Sequence, residues 1–246
     1  MGHAGRLAGL LTILVAVVYP TRSAPYAHEA DRDTVVLLHG LGRTRLSMNW
    51  LANRMQQQGY AVMNIAYPST RRNVADLADH LNQELQAREI GRARQVHFVT
   101  HSFGGIVVRA YLKRHRPSNL GRVVMLAPPN QGSELAHRLR GNWVFRMFAG
   151  PSGQELGIDP SSTPIALGAV DFPLGVIAGG RSWNPLFSAM VPGHDDGVVS
   201  VERTRAAGML DFVVVRRSHT FIMRSSKVAR QVVHFFEHGE FSRPST

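Results

Sequence analysis

The sequence predicts an α/β protein with a mostly parallel central sheet and helices on both faces. From Asp33 onward, short β-branched runs alternate with segments of helical periodicity, the order of strand–helix–strand units. The first run, TVVLLHG (34–40), is a continuous β-branched and leucine run, which is typical of a strand buried on both faces. The chain has 246 residues, of which 44% are hydrophobic, and this suffices for one domain with a full core.

Six apolar runs predict the strands, and turn residues or polar segments bound each of them. The runs are TVVLLHG (34–40), AVMNIAYP (61–68), QVHFVTH (95–101), RVVMLAPP (122–129), LGVIAGG (174–180) and DFVVVRR (211–217). Pro68 ends the second run, because proline cannot donate a ladder hydrogen bond. In a parallel sheet the functional loops lie beyond the carboxyl ends of such strands.

Four segments predict the helices between and after these strands. They are MNWLANRMQQQGY (48–60), NVADLADHLNQELQARE (73–89), GGIVVRAYLKRH (104–115) and KVARQVVHFFEH (227–238). Apolar residues recur every three or four positions, as Leu77, Leu81 and Leu85 do in the second segment. Gly59 is a suitable C-terminal cap for the first helix, and Pro117 stops the third.

Residues 130–171 interrupt this rhythm, because they have no strand character. HRLRGNWVFRMF (137–148) has the pattern of one helix, and AGPSGQELGIDPSSTP (149–164) that of an irregular, mobile loop. A long insertion in a compact fold is often a lid or a binding element. We therefore expect a lid-like insertion within a single domain at 28–246.

The first 27 residues resemble an export signal. Arg6 precedes the apolar run from Leu7 to Tyr19, and small or polar residues follow. That run is shorter than the ~20 residues a membrane-spanning helix needs. The pattern predicts a signal peptide and a periplasmic or secreted protein, with an uncleaved N-terminal anchor as the alternative, because Arg22 disturbs the cleavage site before Ala24.

Composition and charge indicate which classes of binding partner and cofactor to expect. The net charge is +11, almost all of it from arginine, but the arginines are scattered and no basic stripe carries interleaved aromatic residues. This excludes nucleic acid as the expected partner and favours weak contact with anionic membrane surfaces. The chain has no cysteine, so no disulfide can form. It also lacks a phosphate-binding or dinucleotide-binding glycine motif, and no cofactor is expected.

One serine lies where a predicted strand meets a predicted helix. In THSFGG (100–105), Ser102 is followed by Gly104 and Gly105. A sharp strand-to-helix turn projects a serine into a cleft, and its strained backbone requires small neighbours. Thr100 occupies the position at which the G-x-S-x-G pattern has its first glycine. The sequence therefore matches this motif after the serine but not before it.

Four segments together resemble the α/β-hydrolase family and, within it, bacterial lipases and esterases. HGLG (39–42) resembles the oxyanion loop, THSFGG the nucleophile turn, DDGVVSVERT (195–204) the segment of the acid, and SHTFIM (218–223) the loop of the histidine. The order Ser, Asp, His is the order this fold uses. The likeness runs from about Asp33 to Phe236.

The resemblance implies a catalytic triad of Ser102, Asp196 and His219. Ser102 would attack an ester carbonyl, His219 would transfer the proton and Asp196 would orient the imidazole. Backbone amides of Leu41 and Phe103 would form the oxyanion hole. The expected function is hydrolysis of carboxylic esters, by a lipase or carboxylesterase.

Several alternatives compete for these roles. Asp195 and, more distantly, Asp171 compete for the acid, but the acid of the family directly precedes glycine, as Asp196 does. His194 is an alternative to His219 as the catalytic base. For His39 and His101, which flank the predicted site, a structural role is the preferred interpretation. The trio His194–Asp196 offers an incomplete set of metal ligands, so no metal is expected.

The insertion gives the one indication of substrate. One helix face can carry Trp143, Val144, Met147 and Phe148. That face would either pack against the core or form an apolar wall for an acyl chain. An ester with an apolar acyl group is the preferred substrate, small molecule or lipid. Two other functions remain open: acyl transfer from the same acyl-serine, and a non-catalytic binding protein on this fold.

Overall fold

The structure is a computed structural model that describes residues 32–182 and 188–243. The predicted leader at 1–27 lies outside the described residues. Six strands form one sheet in the order β2-β1-β3-β4-β5-β6, and every neighbouring pair is parallel, which confirms the predicted fold class. They are β1 (Thr34–Leu38), β2 (Ala61–Ile65), β3 (Val96–His101), β4 (Leu120–Leu126), β5 (Leu174–Gly179) and β6 (Asp211–Val215).

Seven helices accompany this sheet in the described residues. They are α1 (Asn49–Gln57), α2 (Val74–Ala87), α3 (Phe103–Arg114), α4 (Glu134–Leu139), α5 (Trp143–Gln154), α6 (Thr163–Ala166) and α7 (Ser226–His238). The four helices predicted outside the insertion are all present. Gly59 follows α1 with a φ of 88°, the left-handed conformation that its capping role requires. Asn73 caps α2 by accepting a hydrogen bond from the Asp76 amide at 2.8 Å.

Two apolar layers cover the two faces of the sheet. Side chains of α2 and α3 pack on one face with Val36 and Leu38 of β1, whereas α1 and α7 pack on the other face with Val35 and Leu37. Alternation along β1 sends successive residues to opposite layers. Because both layers are buried, the central strand β1 is buried along its whole length, whereas the edge strands β2 and β6 are partly exposed.

The chain reverses its direction of travel across the sheet between β1 and β3. After β2 forms the outer edge next to β1, the chain crosses to β3, and β4, β5 and β6 follow outward on that side. In an open parallel sheet, ligands bind outside the carboxyl ends of the strands at such a reversal. The loop after Leu38 and the turn after His101 meet at this point.

The insertion contains three helices, α4, α5 and α6, where the sequence predicted one. α4 and α5 are separated at residues 140–142, because the Asn142 side chain accepts hydrogen bonds from the Val144 and Phe145 amides and begins a new helix. The sequence reading of 149–164 as one irregular loop is also wrong. A non-helical Gly150 (φ 60°) precedes Pro151, and the last turn of α5 continues to Gln154. Proline suits the first turn after such a break.

Buried polar groups fasten the base of the insertion. Arg109 of α3 donates to the carbonyl of Asn130 at 2.9 Å and to the carbonyl of Gly168 at 2.5 Å, so one side chain holds both ends. Burial lowers the pKa of Arg109 to about 10. The Ser152 hydroxyl donates to the Ser69 carbonyl at 2.7 Å. The end of α5 is thereby held to the body, whereas its first turns stand out from it.

None of the helices in residues 32–182 and 188–243 combines the length and the apolar character that crossing a membrane requires.

Candidate active site

The turn between β3 and α3 carries Ser102 in an unusual backbone conformation. Its φ is 53° and its ψ is −124°, and its amide donates to the Leu126 carbonyl at 2.8 Å. A side chain at positive φ costs energy and is kept when surrounding contacts demand it. A Cβ on Gly104 would lie 2.8 Å from the His39 carbonyl oxygen, so only glycine lets α3 begin this close to β1.

Thr100 departs from the glycine motif, and Gly105 accommodates it. The Thr100 side chain is fully buried, and a Cβ on Gly105 would lie 3.2 Å from its Oγ1 atom. That contact is tighter than an ordinary van der Waals approach. The second glycine of the pair thus provides the room that a threonine before the turn needs.

Three side chains from distant parts of the chain form a hydrogen-bonded series at this turn. Ser102 Oγ lies 2.9 Å from His219 Nε2, and His219 Nδ1 lies 2.7 Å from Asp196 Oδ2. All three residues are buried. The geometry fits a hydroxyl that donates to a neutral imidazole, whose Nδ1–H donates to a carboxylate.

Asp195 and Asp196, the two neighbouring aspartates in the loop after β5, have different hydrogen-bond partners. Asp196 Oδ1 accepts hydrogen bonds from the Val198 and Val199 amides at 3.0 and 2.9 Å, which leaves Oδ2 for His219. The carboxylate of Asp195 instead accepts from the Gly197 amide at 2.7 Å and from the Ser188 hydroxyl. The two carboxylates therefore have separate partners, and only that of Asp196 reaches the imidazole.

The remaining candidates from the sequence lie away from the series or support it from beneath. Asp171 is exposed and pairs with Arg116, and His194 is exposed. His39 stacks on Tyr67, with ring centroids 4.3 Å apart. His101 Nε2 lies 2.8 Å from the carbonyl oxygen of His219. Burial lowers the pKa of His101 well below its usual value, so this ring is neutral and donates to that carbonyl.

A cavity of about 250 Å³ opens over Ser102 and His219. Leu41 lines it, and the amide of Phe103 begins α3 directly after Ser102. A Cβ on Gly40 would lie 3.3 Å from the Cβ of Ser102, so the HGLG loop passes close to the serine. Of the two residues that the sequence suggested as oxyanion donors, Leu41 therefore lines the same cavity as Ser102, and Phe103 follows the serine in the chain.

The sequence reading missed most of the cavity wall. Apolar side chains from the insertion and from the loop of Asp196 supply it, namely Leu135, Ala136, Phe145, Leu156, Val198 and Val199. These residues are far apart in the chain, so the sequence did not show that they line one cavity. The charged side chain of Arg43 also lines the cavity and was missed, although it directly follows the HGLG motif.

Among the described residues, no group of three or more histidine, aspartate or glutamate side chains is arranged to hold a metal ion. The trio His194–Asp196 does not converge, because Asp195 and Asp196 face different partners and His194 is exposed.

The fold and the similarities to known proteins define the class. The sequence model of the palmitoyl protein thioesterase family matches residues 34–154. The structure resembles the mature lipase BlEst2 of Bacillus licheniformis with a TM-score of 0.64 and 19% identity, over 85% of this chain and 92% of that one. The chain has the α/β-hydrolase fold and is an ester hydrolase.

Two curated relatives are similar over most of their length. The chain is 26% identical to lysosomal thioesterase PPT2 of Bos taurus, over 82% of this chain and 75% of the relative. It is 27% identical to the Homo sapiens protein of the same name, over 77% and 72%. Phospholipase PlaB of Legionella pneumophila shares the fold, with a TM-score of 0.64 and 22% identity over 82% of this chain and 56% of that one.

The different partners of the two aspartates predict different effects of substitution. Asp196→Asn should lower kcat on a p-nitrophenyl ester by about 10³–10⁴-fold, because an amide cannot hold the imidazole in the required tautomer. Asp195→Asn should lower kcat less than about 10-fold, because asparagine keeps an oxygen for the Gly197 amide. Thermal unfolding of both variants controls for misfolding. Equal losses of kcat would contradict the assignment of the acid.

Proposed function

We propose that the protein hydrolyses carboxylic esters of apolar acyl groups through an acyl-enzyme on Ser102. His219 Nε2 takes the proton from the Ser102 hydroxyl as its oxygen attacks the ester carbonyl carbon. The same proton then passes to the leaving alcohol as the carbon–oxygen bond breaks. A water molecule, activated by His219, releases the acid and restores the serine. Asp196 stays ionised and stabilises the imidazolium.

The observation that carries this proposal is the hydrogen-bonded series of Ser102, His219 and Asp196, with distances of 2.9 and 2.7 Å at the switch point of the sheet. The developing oxyanion would be held by the amides of Leu41 and Phe103. Loss of one such donor costs about 10²–10³-fold in rate in other serine hydrolases. The first turn of α3 adds partial positive charge there.

The apolar cavity wall favours an apolar acyl group. Leu135, Phe145 and Leu156 line the cavity beside Ser102, so an alkyl chain placed there would leave water. A thioester is the second candidate for the cleaved bond, because a model of palmitoyl protein thioesterases matches residues 34–154. The same serine would attack the carbonyl of either bond.

We further propose that residues 130–171 act as a lid-like element that meets a lipid surface. Trp143, Met147 and Phe148 on α5 are 71%, 62% and 69% exposed, whereas Phe145 of the same helix lines the cavity. Arg138 on α4 and Arg146 on α5 are also exposed, and the ion pairs of the described residues do not include them. Apolar and cationic groups at the mouth of the site suit an anionic membrane surface.

We propose that the protein is exported from the cytoplasm. The leader-like pattern at 1–27 supports a periplasmic or secreted protein, with an N-terminal anchor as the alternative. The relatives of Bos taurus and Homo sapiens are named lysosomal, a compartment that is also outside the cytoplasm. Fractionation of expressing cells tests this, and a wholly cytoplasmic protein would contradict it.

Labelling with a fluorophosphonate probe tests the proposed chemistry. The wild type should be labelled and Ser102→Ala should not, because the probe reacts with an activated serine hydroxyl. Ser133→Ala is a matched control, because Ser133 lies in the same cavity and serves as a helix cap. An oxoester and a thioester with the same acyl chain then identify the preferred bond. A wild type that neither reacts with the probe nor cleaves either bond would contradict the proposal.

Vesicle sedimentation tests the membrane contact. The wild type should sediment with vesicles of phosphatidylglycerol and phosphatidylcholine more than with phosphatidylcholine alone, and less at high salt. Replacing Trp143 and Phe148 with serine should reduce binding, because the apolar anchors are lost. Leu210→Ser is the control, since Leu210 is 60% exposed and directly precedes the edge strand β6, outside the insertion. Equal binding by the double variant would contradict the role of α5.

A further inference from the structure

Among the described residues that line the cavity over Ser102, Arg43 is the one lysine, arginine, aspartate or glutamate. The residues around it are otherwise mostly apolar, and Arg43 itself is partly buried. Burial lowers the pKa of Arg43, but a guanidinium remains protonated at neutral pH. The cavity therefore contains a fixed positive charge that hydrolysis of the ester bond does not itself require.

This charge has no carboxylate partner in the described part of the chain. The ion pairs of residues 32–182 and 188–243 do not include Arg43. Its identified charged neighbour is another cation, Arg224, which lowers the pKa of Arg43 further. Arg224 is exposed and also unpaired within those residues. Like charges repel each other, so an anion bound beside Arg43 would relieve this repulsion and offset the partial burial of its charge.

Arg43 lines the same cavity as His219, the residue that protonates the leaving group in the proposed mechanism. The ring of His101, whose Nε2 lies 2.8 Å from the His219 carbonyl oxygen, also lines this cavity. Arg224 follows His219 in the chain, and the turn Ile222–Arg224 packs against the turn Arg45–Met48. The leaving-group oxygen must come within reach of His219 Nε2 to receive its proton.

The insertion supplies an uncharged part of the cavity wall, formed by Leu135, Ala136, Phe145 and Leu156. Leu41 and Phe145 both line the cavity, and both lie near Gly153 of α5. The cavity is thus apolar on the side of the insertion and positively charged at Arg43. Such a division suits an ester with an apolar acyl chain and an anionic leaving group.

We propose that Arg43, with Arg224 beside it, binds a phosphate group on the leaving alcohol or thiol and makes the enzyme selective for phosphate-bearing esters. The proposal rests on the hydrolase function proposed above and names its substrate class. Phosphate fits better than a carboxylate because it can carry two negative charges and offers oxygens to two planar guanidinium groups at once. Arg43 is a specificity-determining residue here, since the proton transfers belong to Ser102 and His219.

Matched substrates test this selectivity. A 1-acylglycerol and the corresponding 1-acylglycerol 3-phosphate have the same ester bond and differ by the phosphate. The butanoyl pair is soluble and presents the phosphate on a free small molecule. The dodecanoyl pair is dispersed in neutral detergent micelles and presents the phosphate as a lipid headgroup. The measured quantity is the ratio of kcat/KM for the phosphate ester to kcat/KM for the neutral ester.

The ratio should exceed one in the wild type and fall about 10-fold or more in Arg43→Gln, because a charge-assisted hydrogen bond is lost. Arg224→Gln should lower it less, and Arg43→Lys should restore part of it. Arg230→Gln removes the same charge from the exposed surface of α7 and should leave the ratio unchanged. A ratio that falls in the dodecanoyl pair alone supports the proposal with a lipid headgroup as the source.

A wild-type ratio of one or below, or a ratio that Arg43→Gln leaves unchanged, would overturn the proposal. Calorimetry on Ser102→Ala with butanoylglycerol phosphate gives a readout without turnover. Adding Arg43→Gln should weaken that binding about 10-fold. If the wild type cleaves no ester, the proposed hydrolysis fails, and the calorimetric Kd alone decides on the anion site: an unchanged Kd overturns it.

Discussion

The close approach of β1 to the turn after β3 is the constraint on which the site depends. Ser102 is held at a φ of 53°, a strain on the order of 1–3 kcal/mol, by bonds from its amide to Leu126 and from the Gly105 amide to its carbonyl. Gly104 removes the side chain that would collide with the His39 carbonyl. As a result, the hydroxyl, the first turn of α3 and the HGLG loop share one small volume.

A second close approach brings the other two side chains to the serine. A Cβ on Gly179, at the end of β5, would lie 2.8 Å from the Cβ of Asp196 and 2.6 Å from the Arg217 carbonyl. Glycine there lets the loops after β5 and β6 meet. The His219 amide then donates to the Asp196 carbonyl at 3.0 Å, which fixes the backbones of acid and base before their side chains pair. The hydrogen-bonded series is therefore built on backbone contacts that tolerate few side chains.

The sequence predicted the strands, the outer helices and the three residues that the structure brings together, because periodicity and local motifs encode them. It could not show that Gly105 makes room for Thr100, since that depends on packing across the turn. The helix that resumes at Pro151 was hidden by the glycine and proline that the break itself requires. The sequence did not single out Arg43, because its proposed role depends on its place in the cavity and on its lack of a carboxylate partner among the described residues.

The crystal structure of a fluorophosphonate adduct is the most direct test of how these backbone contacts serve catalysis. Phosphorus should be bonded to Ser102 Oγ, with the phosphoryl oxygen about 2.7–3.1 Å from the amides of both Leu41 and Phe103. The alkyl group should lie against Phe145 and Leu156. A phosphoryl oxygen that points away from both amides, or an adduct on another residue, would contradict the proposed geometry.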